Sequence, residues 1–290
     1  MQPLIEHRMR LDGFETRVLE LEGDGPGIVL LHGYGDSADT WRPLLDELGR
    51  NDRRAIAVDL PGFGAASPLG PGAVLPQYDA FAGALVQTWS EGRPVVLGGN
   101  SLGGAVSLRA AERADLPIAG VVPIAPAGLD MPRWFEIIER DPLLRHLLAL
   151  PFPLPSRVLR EAVGIAYRRL AFSSPRVAEP LVVSAFTSHH ATRARVLAML
   201  EAGRRLLPEL QVPPFELAAI DCPVLLLWGT RDRMVSHSGA RRLQEALAGR
   251  VELRVELLEG VGHCPQLEAT ERVRDLLLAF VESRAAYPLA

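Results

Sequence analysis

The stretch Val95-Val96-Leu97-Gly98-Gly99-Asn100-Ser101-Leu102-Gly103-Gly104 decides how the rest of the chain is interpreted. Its apolar beginning predicts a buried strand, and residues 105–111 predict a helix. Between them lies a Gly-x-Ser-x-Gly pattern, in the strand–turn–helix context in which a serine nucleophile is found. A turn this sharp requires small neighbours on both sides of Ser101, and Gly99 and Gly103 provide them. Ser101 is therefore a candidate nucleophile, and the alternative is a serine that only caps the helix.

Strands and helices alternate on both sides of this turn. A hairpin is predicted for residues 4–10 and 14–22, and apolar runs predict buried strands at 27–31 and 222–228. Further strands are predicted at 54–58, 118–124 and 251–258. Helical patterns lie between most of these runs, among them one from Asp79 to Ser90. Such alternation predicts an α/β fold with a mostly parallel sheet and helices on both faces.

The alternation stops between residues 128 and 216, where helical patterns are interrupted by prolines. Helices are expected at about 133–149, 156–171, 176–187 and 190–206. We interpret residues 128–216 as an inserted helical cap, and residues 1–127 together with 217–290 as the core domain.

Composition excludes several classes of function. The 290 residues are 48% hydrophobic, which suits one large domain with an insertion. With a net charge of −4 and no basic run, a nucleic-acid partner is not expected. Two cysteines form no disulfide framework. The sequence has no apolar stretch of the roughly eighteen residues needed to span a membrane, and no apolar segment typical of a signal peptide near Met1. We therefore expect a soluble, cytoplasmic protein. The sequence leaves the oligomeric state open.

A serine hydroxyl attacks at neutral pH only when a base accepts its proton and an acid supports that base. His263, in Gly-Val-Gly-His, and Asp232, in Gly-Thr-Arg-Asp, each follow a predicted strand. Functional loops of such sheets gather at the carboxyl ends of the strands, so these side chains are expected to converge on Ser101. The order serine, aspartate, histidine is that of the α/β-hydrolases. Asp130, which follows the strand at 118–124, is an alternative acid.

The chain resembles α/β-hydrolase-fold enzymes with a helical cap over nearly its full length. The motifs that carry the resemblance are His32-Gly33, Asp59 to Gly64, Gly99 to Gly104, Trp228 to Asp232 and Gly260 to His263. The resemblance implies that Ser101 is the nucleophile, His263 the base and Asp232 the orienting acid. It also implies that the backbone N–H groups of Tyr34 and Leu102 form the oxyanion hole.

The identity of the nucleophile narrows the reaction. Relatives that open epoxides or displace halide use aspartate at this turn, so a serine favours a carboxylesterase acting on small-molecule esters. Carbon–carbon hydrolases of dienol diketones share the Gly-Asn-Ser-x-Gly-Gly turn and stay an alternative, although Cys264 stands where they usually have tryptophan. A non-catalytic ligand receptor is the second alternative. Trp134, Phe135 and Ile138 are candidates for an apolar pocket that binds a modest-size acyl or aromatic group.

Other polar residues are expected to be structural. We expect His32 and Asp59 to brace their own loops, Cys264 to be a small buried thiol, and His189 and His190 to pack in the cap or lie on its surface. No group of residues has metal-ligand spacing and no glycine-rich loop fits a dinucleotide, so neither a metal nor a cofactor is expected.

Overall fold

The core of the protein is an eight-stranded sheet with strand order β1-β2-β4-β3-β5-β6-β7-β8. The computed structural model describes residues 3–130, 156–212 and 214–285. The strands are β1 Leu4–Leu11, β2 Phe14–Leu21, β3 Asp24–Leu31, β4 Arg53–Val58, β5 Val95–Asn100, β6 Ile118–Ile124, β7 Val224–Gly229 and β8 Leu253–Leu258. β1 pairs antiparallel with β2, and β2 antiparallel with β4; all later pairs are parallel. The predicted fold class and the opening hairpin are confirmed.

Helices cover both faces of the sheet. Alternate residues of a strand point to opposite sides, and in the central strands both sets are apolar, so both faces need to be buried. In β3, Val29 and Leu31 join one apolar cluster, whereas Ile28 and Leu30 join another. The described helices are α1 Arg42–Arg50, α2 Leu75–Ser90, α3 Leu102–Ala111, α4 Ser156–Ala171, α5 Pro180–Ser188, α6 Arg193–Gln211, α7 Ala240–Leu247, α8 Pro265–Glu268 and α9 Thr270–Ala285. Helices α2 and α3 contribute to the first cluster, and α1 and α9 to the second.

Helix α2 begins four residues earlier than the apolar spacing predicts, at Leu75 and not at Asp79. The reason is a cap from a distant part of the chain. The carboxylate of Glu209 in α6 accepts the backbone N–H groups of Val74 and Leu75 at 2.7 and 2.8 Å. The first N–H groups of a helix have no partner inside it, so this contact stabilises the extra turn.

Between β6 and β7 the described part of the chain contains helices α4, α5 and α6 and no strand. Helices were expected at about 156–171, 176–187 and 190–206. Helix α4 matches the first, α5 begins later, at Pro180, and α6 is shifted towards the C-terminus, from Arg193 to Gln211. The helix expected at 133–149 lies outside the described residues, as do Trp134, Phe135 and Ile138. The proposed extent of the cap, 128–216, therefore stays a prediction.

The topology brings the candidate residues to one edge of the sheet. Strands β5, β7 and β8 run parallel, and β6 lies between β5 and β7. Ser101 follows β5, Asp232 follows β7 and His263 follows β8. All three loops leave the carboxyl edge, where side chains from different strands can meet.

Candidate active site

Ser101 occupies the sharp turn between β5 and α3, with φ +53° and ψ −111°. This conformation is rare for residues other than glycine and marks a strained position of the kind found at functional sites. A Cβ added to Gly99 would lie 2.3 Å from the carbonyl of Gly103, and one added to Gly103 would lie 2.1 Å from the carbonyl oxygen of Leu31. Both glycines are therefore required by the close approach of backbone on either side of the turn.

His263 and Asp232 form a buried, hydrogen-bonded pair. Nδ1 of His263 donates to Oδ2 of Asp232 at 2.7 Å, and the two side chains are 4% and 0% exposed. The other carboxylate oxygen, Oδ1, accepts the backbone N–H groups of Met234 and Val235 at 2.7 and 3.0 Å. Because the carboxylate is held from both sides, it fixes the proton on Nδ1 and leaves Nε2 able to accept one.

Asp130, the alternative acid, has a different partner. Its carboxylate accepts the hydroxyl of Ser238, and its backbone oxygen accepts the N–H of Ser236 at 3.4 Å. The carboxylate that contacts the imidazole is that of Asp232.

Four backbone and side-chain contacts hold the loop of residues 259–264, here named the histidine loop. The carbonyl of His263 accepts Nδ2 of Asn100 at 2.9 Å, and Ala171 at the end of α4 accepts the N–H groups of His263 and Cys264 at 2.9 and 3.2 Å. Glu268 accepts the N–H of Gly262 at 2.8 Å. Sequence reasoning missed these supports, since nothing local to Asn100 or Glu268 indicates their partners.

The loop of residues 32–36, here named the β3 loop, lies against the nucleophile turn. A Cβ on Gly33 would be 3.4 Å from Cβ of Ser101. The Tyr34 hydroxyl donates to the carbonyl of Met199 at 2.5 Å, and Nε2 of His190 donates to the carbonyl of Gly35 at 2.6 Å. His190, expected to be on the surface or in packing, is 4% exposed and braces this loop from the helical segment.

The predicted oxyanion donors flank the serine. Leu102 is the first residue of α3, so its N–H has no carbonyl four residues earlier within the helix to which it could donate. Tyr34 is in the β3 loop, and both residues line the same cavity as Ser101. Backbone N–H groups at a helix N-terminus favour developing negative charge.

A cavity of about 400 Å³ lies over Ser101 and His263. Its far walls come from α4 and α6 and are apolar, with Leu159, Val163, Leu170, Val196, Met199, Leu200, Leu206 and Leu207 among the lining residues. Among the described lining residues there is no arginine. The pocket therefore has an apolar wall opposite the polar groups of Ser101 and His263. This wall comes from α4 and α6, whereas the pocket candidates predicted from the sequence belong to the helix expected at 133–149.

Two further polar groups line this cavity, Asp36 and Cys264. Burial raises the pKa of Asp36 to about 7, against the opposing effect of the Ser37 N–H that its carboxylate accepts. Burial also raises the pKa of the Cys264 thiol well above its usual range. A thiol with a raised pKa is a poor nucleophile, in agreement with the interpretation of Cys264 as a buried structural thiol.

His32 and Asp59 have contacts that account for them without chemistry. His32 is fully buried; Nδ1 donates to the carbonyl of Gly33 at 2.7 Å and Nε2 accepts the N–H of Leu60 at 2.8 Å. Burial lowers its pKa to about 4, so the ring is neutral and bridges two loops. Asp59 accepts Nε of Arg17 at 3.0 Å and the N–H of Ala38 at 2.7 Å.

Ser101 and His263 line one cavity, but no hydrogen bond between the described residues joins the hydroxyl to the imidazole. Such bonds are often long before substrate binds. Among the residues described, no three His, Cys, Asp or Glu side chains are grouped as metal ligands. Nor does any helix in those ranges combine the length and apolar character needed to cross a bilayer.

The chain is similar to known proteins over most of its length. The chain is 28% identical over 289 residues to the dihydrolipoyllysine-residue acetyltransferase component of the acetoin cleaving system of Pseudomonas putida, covering 94% of this chain and 68% of the relative. It is 29% identical over 261 residues to a pimeloyl-[acyl-carrier protein] methyl ester esterase of Shewanella sp. (strain MR-7), covering 85% and 87%.

Among solved structures, a membrane phospholipase A described as a bacterial virulence factor has a TM-score of 0.77 and 26% identity, with 97% of this chain and 86% of the other covered. The profile of the Alpha/beta hydrolase family matches residues 28–276. On this match, which spans most of its length, the chain belongs to the alpha/beta hydrolase family.

Proposed function

We propose that the protein is a serine carboxylesterase that cleaves neutral, apolar esters through an acyl-enzyme. The observation that carries the proposal is the buried His263–Asp232 pair, whose imidazole lines the same cavity as the strained Ser101. Membership of a hydrolase family and similarity to an ester-cleaving relative support the reaction class.

The proposed mechanism follows from the positions of these groups. Oγ of Ser101 attacks the ester carbonyl while Nε2 of His263 takes its proton, and the Asp232 carboxylate stabilises the resulting imidazolium. The N–H groups of Leu102 and Tyr34 stabilise the oxyanion, each contributing about 3 kcal/mol in the transition state. The imidazolium then protonates the departing alcohol, and water activated by the same imidazole releases the acid.

The cavity wall supports a substrate class. A carboxylate on the acyl group would be buried among leucine and valine side chains from α4 and α6. Burying a charge without a partner is costly, and the described lining offers no arginine. We therefore propose a neutral acyl chain lying between α4 and α6, under a cap that extends from 128 to 216 and that also supplies Trp134, Phe135 and Ile138.

The test is hydrolysis of p-nitrophenyl esters from acetate to laurate, with the absorbance of the released phenolate recorded. We expect turnover that Ser101→Ala and His263→Ala abolish, with higher kcat/KM for longer chains than for acetate. An inactive wild type across all chain lengths would contradict the proposal. A dienol diketone assayed in parallel tests carbon–carbon cleavage, and fluorophosphonate labelling of Ser101 without turnover of either substrate would favour a receptor.

A further inference from the structure

The segment that directly follows helix α4 is joined to the histidine loop by hydrogen bonds through Glu268. Oε1 of Glu268 accepts the N–H of Gly262 at 2.8 Å and the N–H of Ser173 at 3.0 Å, and Oε2 accepts the Ser173 hydroxyl at 2.5 Å. The carbonyl of Ala171 accepts two more N–H groups from the histidine loop, that of His263 among them. These contacts of Glu268 and Ala171 with the histidine loop and Ser173 are here named the joint. One carboxylate thus connects two segments that are about 90 residues apart in sequence.

Packing at this joint leaves no free space. A Cβ on Gly262 would lie 2.4 Å from both the Ser173 nitrogen and Oε1 of Glu268, and 2.6 Å from the carbonyl carbon of Phe172. Phe172 is 1% exposed and packs with Cys264 in a small apolar cluster. Any displacement of this end of α4 must therefore displace the histidine loop as well.

The loop that carries Asp232 is tied to the same place. The guanidinium of Arg233, the next residue, donates to the carbonyls of Arg169 and Ser173 at 3.3 and 3.2 Å. The end of α4 thus contacts the loop of the candidate acid through Arg169 and the loop of the candidate base through Ala171.

We infer that Glu268 is a positioning residue for His263: by clamping Gly262 to Ser173 it holds the imidazole where it can reach Ser101. The histidine loop contains two glycines, Gly260 with φ +78° and Gly262, so its backbone has little stiffness of its own. Without the carboxylate, two N–H groups at the joint lose their acceptor and the loop gains freedom. A displacement of about 1 Å at a catalytic group costs about 100-fold in rate.

The inference rests on the proposed function for its kinetic part, and it has a structural consequence of its own. The end of α4 cannot act as the hinge of an independent lid, because five hydrogen bonds, two to Ala171 and three to Glu268, connect it and Ser173 to the histidine loop. The position of α4, which also lines the acyl wall of the cavity, is thereby transmitted to His263.

The experiment compares Glu268→Ala, Glu268→Gln and Ser173→Ala with the wild type, using Glu245→Ala as the matched control. Glu245 is an exposed acid that pairs with Arg241 on α7. We expect Glu268→Ala to lower kcat about 100-fold at constant KM. This loss should be equal for acetate and longer esters, because the groups that Glu268 binds, Gly262 and Ser173, do not line the cavity that holds the acyl chain.

Glu268→Gln should keep a higher kcat than Glu268→Ala, since its amide oxygen can still accept the N–H of Gly262. Ser173→Ala removes one hydroxyl contact, so its loss should be smaller, and it remains informative if Glu268→Ala does not fold. A wild-type kcat in Glu268→Ala, or a loss carried by KM alone, would overturn the inference.

Amide hydrogen exchange provides a readout that needs no turnover. We expect exchange in the peptides that contain residues 259–264 and 171–175 to rise together in Glu268→Ala and to stay at the wild-type rate in Glu245→Ala. Unchanged exchange at 259–264 would overturn the inference even if kcat fell. If the wild type proved inactive on esters, that result would count against the proposed function alone, and the exchange data would still decide whether the clamp exists.

Discussion

Replacing Asp232 by asparagine should inactivate the enzyme while leaving its fold intact. The reason lies in the four groups around the carboxylate. Oδ1 accepts two backbone N–H groups, from Met234 and Val235, while Oδ2 faces Nδ1 of His263 and, at 3.2 Å, Nε1 of Trp228. An asparagine keeps the two backbone hydrogen bonds only if its carbonyl oxygen takes the place of Oδ1, which turns its NH₂ towards His263.

The imidazole must then accept at Nδ1 and carry its proton on Nε2, so that it cannot take the proton of Ser101. Restoring the productive tautomer requires the reverse amide orientation, which leaves two buried N–H groups unpaired at about 1–3 kcal/mol each. The total of about 2–6 kcal/mol corresponds to a loss in kcat of about 30-fold to 10⁴-fold. The upper end equals the effect of the same change in a serine protease, about 10⁴-fold.

The assay is kcat for a p-nitrophenyl ester, with thermal unfolding measured alongside. The matched control is Asp130→Asn, because Asp130 is the alternative acid that the sequence left open and its carboxylate contacts Ser238. We expect the control to keep the wild-type kcat. A kcat for Asp232→Asn within about tenfold of the wild type, or a large loss in Asp130→Asn, would refute the assignment of the acid.

Three further predictions concern the cavity and the β3 loop. The pKa of Asp36 is about 7 in the folded protein and near 4 in the unfolded chain. Between these two pH values only the folded state keeps the proton, so the free energy of unfolding falls by about 1.4 kcal/mol per pH unit as pH rises. Asp36→Asn cannot lose this proton, so its free energy of unfolding, measured with urea, should rise relative to that of the wild type from pH 4 to 7. A difference between the two proteins that stays constant over this range would contradict the prediction. Ala166→Trp, on the α4 wall, should lower kcat/KM for octanoate esters far more than for acetate, and equal losses would refute the placement of the acyl chain. His190→Phe keeps the ring contact with Phe186 but loses the hydrogen bond to the carbonyl of Gly35. We expect kcat to fall about 10- to 100-fold at constant KM. An unchanged kcat would show that the β3 loop does not need this hydrogen bond.

The parts of the protein that could be predicted from sequence depend on local pattern. Apolar runs of strand length, alternating with amphipathic helices, predicted the parallel sheet, and glycines at 99 and 103 predicted the strained turn at Ser101. Both signals arise within a few residues of the feature that they predict. The placing of candidate groups at strand ends required one more step, the rule that parallel strands share their carboxyl edge.

Contacts across the sequence were not accessible in this way. Nothing near Glu209 shows that its carboxylate caps α2, and nothing near His190 or Glu268 shows that they hold the β3 loop and the histidine loop. Two aspartates follow strands at the same edge, and sequence alone left both as possible acids. The tertiary structure shows that the carboxylate of Asp232 is the one that contacts the imidazole. Sequence could not show this, because a hydrogen bond depends on distances of about 3 Å between atoms and no periodicity of the chain encodes those distances. The sequence by itself thus determined the fold class and the chemical types at the strand ends, and the packing of the helices on the loops determined which groups touch.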